Sequence, residues 1–149
     1  MATLRPAGPS VLDPGDYGRI RDVLARAGYT DEGVVKALGV DTLSRLREKK
    51  VPALLRRTRG GTPLETLIRL FILDQPVDAS SVARALAPMM PDDWIAFGLL
   101  EADGPQIYAS VQLRCYQGLV LAYDFPRRGQ GGVRSDYVMG VSPSSLVLL

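Results

Sequence analysis

At Ile107 the spacing of apolar residues in this chain changes from 3.6 to 2, and that change constrains the fold more than any other feature. Upstream, apolar side chains recur at helical intervals in short segments, most of them opened by a capping residue or a proline. Downstream, Ile107, Ala109, Val111, Leu113 and Cys115 alternate with Tyr108, Ser110, Gln112, Arg114 and Tyr116. Alternation of that kind belongs to a half-buried strand. Gln117-Gly118 then supplies a tight turn, and Leu119 to Phe125 a returning strand. The expected class is mainly α with a small β-hairpin, that is, α+β.

The helical part can be divided further. Asp13-Pro14 opens a helix with Tyr17, Ile20, Val23, Leu24 and Ala27 on one face and Gly28 as its stop. Thr30 caps a second helix carrying Val34, Val35 and Leu38, closed by Gly39; Asp41 is expected to cap a third, with Leu43 and Leu46, and Val51 to Leu55 to begin a fourth. Gly60-Gly61 breaks the pattern. Thr62-Pro63-Leu64-Glu65 then spells a capping box with proline at the first helical position. Leu64, Leu67, Ile68, Phe71 and Ile72 follow as one continuous stripe that Pro76 is expected to end. Asp78 caps the next helix, through Val82, Ala83 and Leu86. Pro91 opens another, expected to run past Trp94 to Leu100 and to stop at Asp103-Gly104-Pro105. Three helices followed by a hairpin is the order of a winged-helix domain. It is placed at 61–125, behind a helical subdomain at 13–60 and a flexible arm at 1–12, with a glycine- and arginine-rich connector within 126–149.

Composition removes most familiar chemistry. The chain has no histidine and one cysteine, Cys115. A Ser-His-Asp triad, a Cys-His pair and a His-based metal centre are excluded, and a structural zinc site has almost no ligands to draw on. No metal is expected. One cysteine cannot form an internal disulfide, which favours a reducing cytoplasm. No apolar run approaches the roughly 20 residues of a membrane span, and the first residues lack the apolar core of a signal peptide.

Charge is segregated along the chain. Arg45, Arg47, Lys49, Lys50, Arg56, Arg57 and Arg59 oppose a single acid, Glu48, and Arg127, Arg128 and Arg134 lie on the glycine-rich connector. Clusters of this kind can contact phosphates without reading sequence; a solvated helix face with no ligand is the plain alternative. The third helix of the winged-helix segment is different. Asp92, Asp93, Glu101 and Asp103 lie in a window between Arg84 and Arg114 that contains no Lys or Arg. Such a helix repels a phosphate backbone and is expected to pack rather than to enter a groove. Cys115 falls on the apolar phase of its strand and reads as a core residue. Trp94 and Phe97 read as core too, and adjacent Asp92-Asp93 point about 100° apart, a poor acid–base pair. No catalytic residue is assigned.

The segment Ser135-Asp136-Tyr137-Val138-Met139-Gly140-Val141-Ser142-Pro143-Ser144-Ser145-Leu146, preceded by the hairpin LRCYQGLVLAYDFP, resembles the N-terminal region of certain bacterial class I S-adenosylmethionine-dependent methyltransferases. Their catalytic domain is of the small-methyltransferase type, similar to the ribosomal RNA guanine and release-factor glutamine enzymes. The resemblance implies a helical, winged-helix-like recognition domain whose terminal segment leads into a Rossmann-like catalytic domain. It implies that Asp136, Gly140, Ser142, Ser144 and Ser145 lie at the domain junction. S-adenosylmethionine is then the cofactor of the full-length protein; the chain itself carries no glycine-rich cofactor loop and no Asn-Pro-Pro-Tyr motif, so it binds none. The implied partners are the catalytic domain and an RNA or protein acceptor, with no membrane. On this reading the chain, which stops in the apolar run Leu146 to Leu149, is an N-terminal piece of a longer enzyme without activity of its own. The alternative is a free-standing winged-helix module that binds nucleic acid or docks a protein.

Overall fold

The computed structural model describes residues 13–41, 51–116 and 119–123. The arm at 1–12, the helix expected around Leu43 and Leu46, the turn at Gln117-Gly118 and everything from residue 124 onward lie outside the described residues.

Helix α1 (Pro14–Ala27) begins at the expected proline and buries Ile20, Val23 and Leu24. Tyr17 is 51% exposed, because burial along α1 begins only at Ile20. Gly28 ends the helix at φ 81°, a left-handed conformation that glycine adopts without a Cβ clash. Its N–H bonds to the Ala25 carbonyl and that of Tyr29 to Leu24, which satisfies the last carbonyls and swings Tyr29 into the core. Helix α2 (Asp31–Leu38) repeats the device. The Thr30 hydroxyl accepts from the Gly33 N–H at 3.0 Å, Gly39 closes the helix at φ 66°, and Val40 turns inward.

Helix α3 (Val51–Arg57) leads through the buried Thr58 to the Gly60-Gly61 break and helix α4 (Pro63–Phe71). The capping box is present in full: Thr62 Oγ1 accepts from the Glu65 N–H, and the Glu65 carboxylate accepts from the Thr62 N–H. Leu67, Ile68 and Phe71 are completely buried, as the stripe requires, and so are Leu70 and Thr66, which lie off it. The reason is that α4 is covered from several directions, by α2 and by the elements that follow it. It ends at Phe71, short of Pro76; the chain then turns through Asp74 at φ 54°.

Next come β1 (Val77–Asp78), α5 (Ala79–Leu86) and α6 (Pro91–Ala96). The third helix is shorter than expected. Gly98 takes φ 80°, its N–H bonds to Ile95 and that of Leu99 to Trp94, so this helix closes as α1 and α2 do. Leu100 therefore starts strand β2 (Leu100–Asp103) rather than ending a helix. Asp103-Gly104-Pro105 is correspondingly the turn of a hairpin and not a helix stop. Asp103 pairs with Gln106, leaving Gly104 (φ 59°) and Pro105 as the loop into β3 (Gln106–Ala109). The antiparallel sheet has the order β1-β3-β2. Sequence α4-β1-α5-α6-β2-β3 with that strand order is a winged-helix arrangement, and its wing is the β2–β3 hairpin.

The alternating stretch is thus two strands. Ser110 donates its N–H to the Leu99 carbonyl at 2.9 Å, and β4 (Gln112–Tyr116) then pairs with β5 (Leu119–Tyr123) in a separate two-stranded sheet. The break brings Gln112, on the polar phase of the pattern, into the interior, where its amide donates to the Ile72 carbonyl at 3.4 Å. The protein is mainly α with small antiparallel sheets. One core cluster runs from Ile20 of α1 to Leu113 of β4 and joins the N-terminal helices to the winged helix.

Candidate functional site

The corner between α3 and α4 gathers the described part of the basic cluster. Arg56, Arg57 and Arg59 are all exposed, and none forms an ion pair among the described residues. Their backbone is pinned from beneath. Thr58 turns its hydroxyl onto the Leu54 and Leu55 carbonyls at 3.1 and 3.2 Å. From α4, Arg69 donates to the Leu55 carbonyl at 2.8 Å and to the carbonyl and hydroxyl of Thr58, both at 3.0 Å. Those bonds satisfy the terminal carbonyls of α3 and place a cation at the negative end of its dipole. Glu65 holds the other side by accepting from the Gly60 N–H at 3.1 Å. Burial alone would raise the Glu65 carboxyl, yet the bonds from Thr62 and Gly60 and the charge of Arg69 bring it below its ordinary range. Arg57 leans over Gly39, where a Cβ would stand 2.5 Å from the guanidinium carbon. Lys36 is exposed on the last turn of α2.

The third helix has the opposite character. Trp94 is completely buried and tilts against Phe71 with ring centroids 5.8 Å apart, and Phe97 is half-buried against the core. Both are packing residues. Asp93 is spent at the helix start, where its carboxylate accepts from the Met90 N–H at 3.1 Å. Asp92 and Asp103 are exposed and Glu101 half-buried, so the charges that α6 and the wing carry themselves are acidic.

An open cleft of about 620 Å³ lies between α1, the start of α2 and the β4–β5 hairpin, with Leu24, Tyr29, Asp31, Cys115 and Val120 among its walls. Cys115 donates its thiol to the Tyr29 carbonyl at 3.0 Å. Burial, and then the charge of Asp31, push that thiol up to about 11. A thiol so placed is a weak nucleophile at neutral pH, in keeping with a core role. Among the described residues no group of three acidic or sulfur side chains could hold a metal ion, and no helix is long and apolar enough to cross a membrane.

Of the contact residues expected from sequence, Arg56, Arg57 and Arg59 share one corner. Arg45, Arg47, Lys49, Lys50, Arg127, Arg128 and Arg134 lie outside the described residues, as do the junction residues Asp136, Gly140, Ser142, Ser144 and Ser145. Sequence reasoning passed over Arg69. Its only local signal is Glu65 one turn earlier, an i,i+4 pair that reads as ordinary helix surface.

The family model described as a domain of unknown function, DUF7059, matches residues 26–110, more than half of the chain. The chain belongs to that family. No curated protein and no solved structure matches it. The DUF7059 match opens in the last turn of α1 and closes at Ser110, just after β3. It therefore takes in α2, the basic corner and the whole winged helix, and stops short of the β4–β5 hairpin.

Proposed function

We propose that the chain is the substrate-recognition or accessory domain of an S-adenosylmethionine-dependent methyltransferase, acting in the cytoplasm and inactive by itself. One observation carries this reading. A winged helix without a catalytic constellation is followed, through the β4–β5 hairpin, by the segment Ser135 to Leu146, which resembles the lead-in to a small-methyltransferase domain. The cofactor belongs to that catalytic domain, and the role left to this chain is to hold an RNA or protein acceptor beside it. Arg45 to Arg59 and Arg127 to Arg134 supply the electrostatic contact.

The test is made on the longer protein. Methyl transfer from radiolabelled S-adenosylmethionine to RNA and protein fractions is measured with and without residues 1–125. A raised KM with kcat largely kept is expected; an unchanged KM, or a reading frame that does not continue into a strand and a glycine-rich loop, refutes the proposal. A free-standing winged-helix nucleic-acid binder is favoured by the strand order alone and disfavoured by the acids on α6. A sequence-specific, salt-sensitive DNA shift would establish it instead.

A further inference from the structure

We infer that this domain meets a nucleic-acid backbone through the α3–α4 corner and not through its third helix and wing. The inference rests on the recognition role proposed above and adds the class of partner and the face that takes it. Winged helices and their relatives ordinarily send the third helix toward a groove. Here that helix spans six residues, buries Trp94 completely, and shares its surface with Asp92, Glu101 and Asp103. No Lys or Arg occurs from residue 85 to 113, and Arg19 of α1, which stands near Asp93, is paired with Asp16, so this helix and the wing offer a phosphate little attraction.

The corner has the opposite properties. Arg56, Arg57 and Arg59 are exposed within four residues, with Lys36 on the adjoining end of α2. The Arg69 and Thr58 bonds fix the backbone from which they project, so less order has to be imposed when an anion is bound. Glu65, the nearest acid in sequence, is occupied by Gly60 and Thr62. Residues 51 to 61 include no Asn or Gln, the side chains that read adenine; arginine can fork onto guanine, but only from an element seated in a groove, and on a corner between two helices it meets phosphates. The binding is therefore of backbone, with little dependence on base sequence. Basic side chains on one pair of elements and acidic ones on another also orient an approaching polyanion before contact.

The experiment uses the full 149-residue chain. Anisotropy of fluorescein-labelled RNAs of about 20 nucleotides and two unrelated sequences is followed from roughly 50 to 300 mM KCl, and backbone amide shifts are mapped in the complex. Both RNAs are expected to bind alike. Shifts should centre on residues 51–60 and the end of α2. The double variant Arg56→Gln/Arg59→Gln, which removes two solvent-facing charges, should weaken binding about tenfold at low salt and reduce the slope of log Kd against log salt by about two. Asp92→Asn/Asp103→Asn should leave the affinity equal or slightly tighter. Shifts centred on α6 and residues 103–106, or an unchanged slope in a folded arginine variant, overturn the inference and leave the recognition role standing. Failure to bind RNA with retained binding of a poly-glutamate peptide overturns it in favour of an acidic protein partner. Binding of neither overturns the inference, and the recognition role is then decided by the KM of the longer protein.

Discussion

The hydroxyl of Tyr29 donates to the backbone carbonyl of Leu113, a residue 84 positions further along the chain. Tyr29 is the residue that the left-handed turn at Gly28 swings inward, and its own carbonyl accepts from the Cys115 thiol. The N-terminal helices and the last hairpin are thus joined by two reciprocal bonds through one residue. Tyr29→Phe removes one of them and leaves a buried carbonyl with one partner fewer. A loss of about 1–2 kcal/mol is expected from urea unfolding, with the m-value unchanged.

Two glycines of α1 are expected to respond in opposite directions. Gly18 lies inside the helix, and a Cβ added there would meet nothing within 4 Å, so Gly18→Ala should stabilise the protein by about 0.5–1 kcal/mol through helix propensity. Gly28 holds φ 81°, and Gly28→Ala should cost about 1–2 kcal/mol because a side chain is strained there. Chemical denaturation of both variants decides the matter; equal responses would mean that the turn is not held by Gly28.

Asp78 gives a pH signature. Its carboxylate accepts from the Ser80 hydroxyl and from the N–H and hydroxyl of Ser81, and these bonds bring its pKa down to about 2 from an ordinary 3.8. Folding therefore favours the charged form. That contribution is complete above the unfolded pKa and is lost as pH falls through about 2. The Tm of the wild type should fall further between about pH 4 and pH 2 than that of Asp78→Asn. Parallel acid limbs would show that the cap contributes nothing.

Cys115 should alkylate slowly. With its thiol pushed up to about 11 by burial and Asp31, iodoacetamide at about pH 8 should modify the folded chain far more slowly than the urea-unfolded one. Asp31→Asn, by lifting the acidic contribution, should speed the folded-state reaction; no change would place the cause in burial alone.

Much of this fold was legible because its start and stop signals are local chemistry. The Asp13-Pro14 opening, the Thr30 cap, the Thr62 to Glu65 box and the Asp78 cap each depend on three or four consecutive residues, and each appears where the letters place it. The errors came where a local rule met a tertiary one. Period-2 alternation persists from Ile107 through Cys115, yet the strand breaks at Ser110, because β3 is claimed by β2 and β4 by β5. The apolar letters keep their period across the break although burial does not, with Val111, Gln112 and Leu113 all buried, so the pattern could not reveal it. Gly98 did carry a stop signal, of the kind read correctly at Gly28 and Gly39, and the apolar run Leu99-Leu100 masked it. The basic corner was visible as composition. Its support was not, because the bonds from Arg69 to Leu55 and Thr58 span 11 to 14 residues and leave no periodic trace.

Helix α4 is covered both by α2 and by the rest of the winged helix, with Leu67, Ile68, Leu70 and Phe71 all sealed from solvent. Such a spine acts as a ruler. It carries Arg69, which holds the arginine corner, and it packs against β1 and against β3, a strand of the wing. The spacing between the arginine corner and the wing is therefore fixed by buried side chains of α4 that carry no charge of their own.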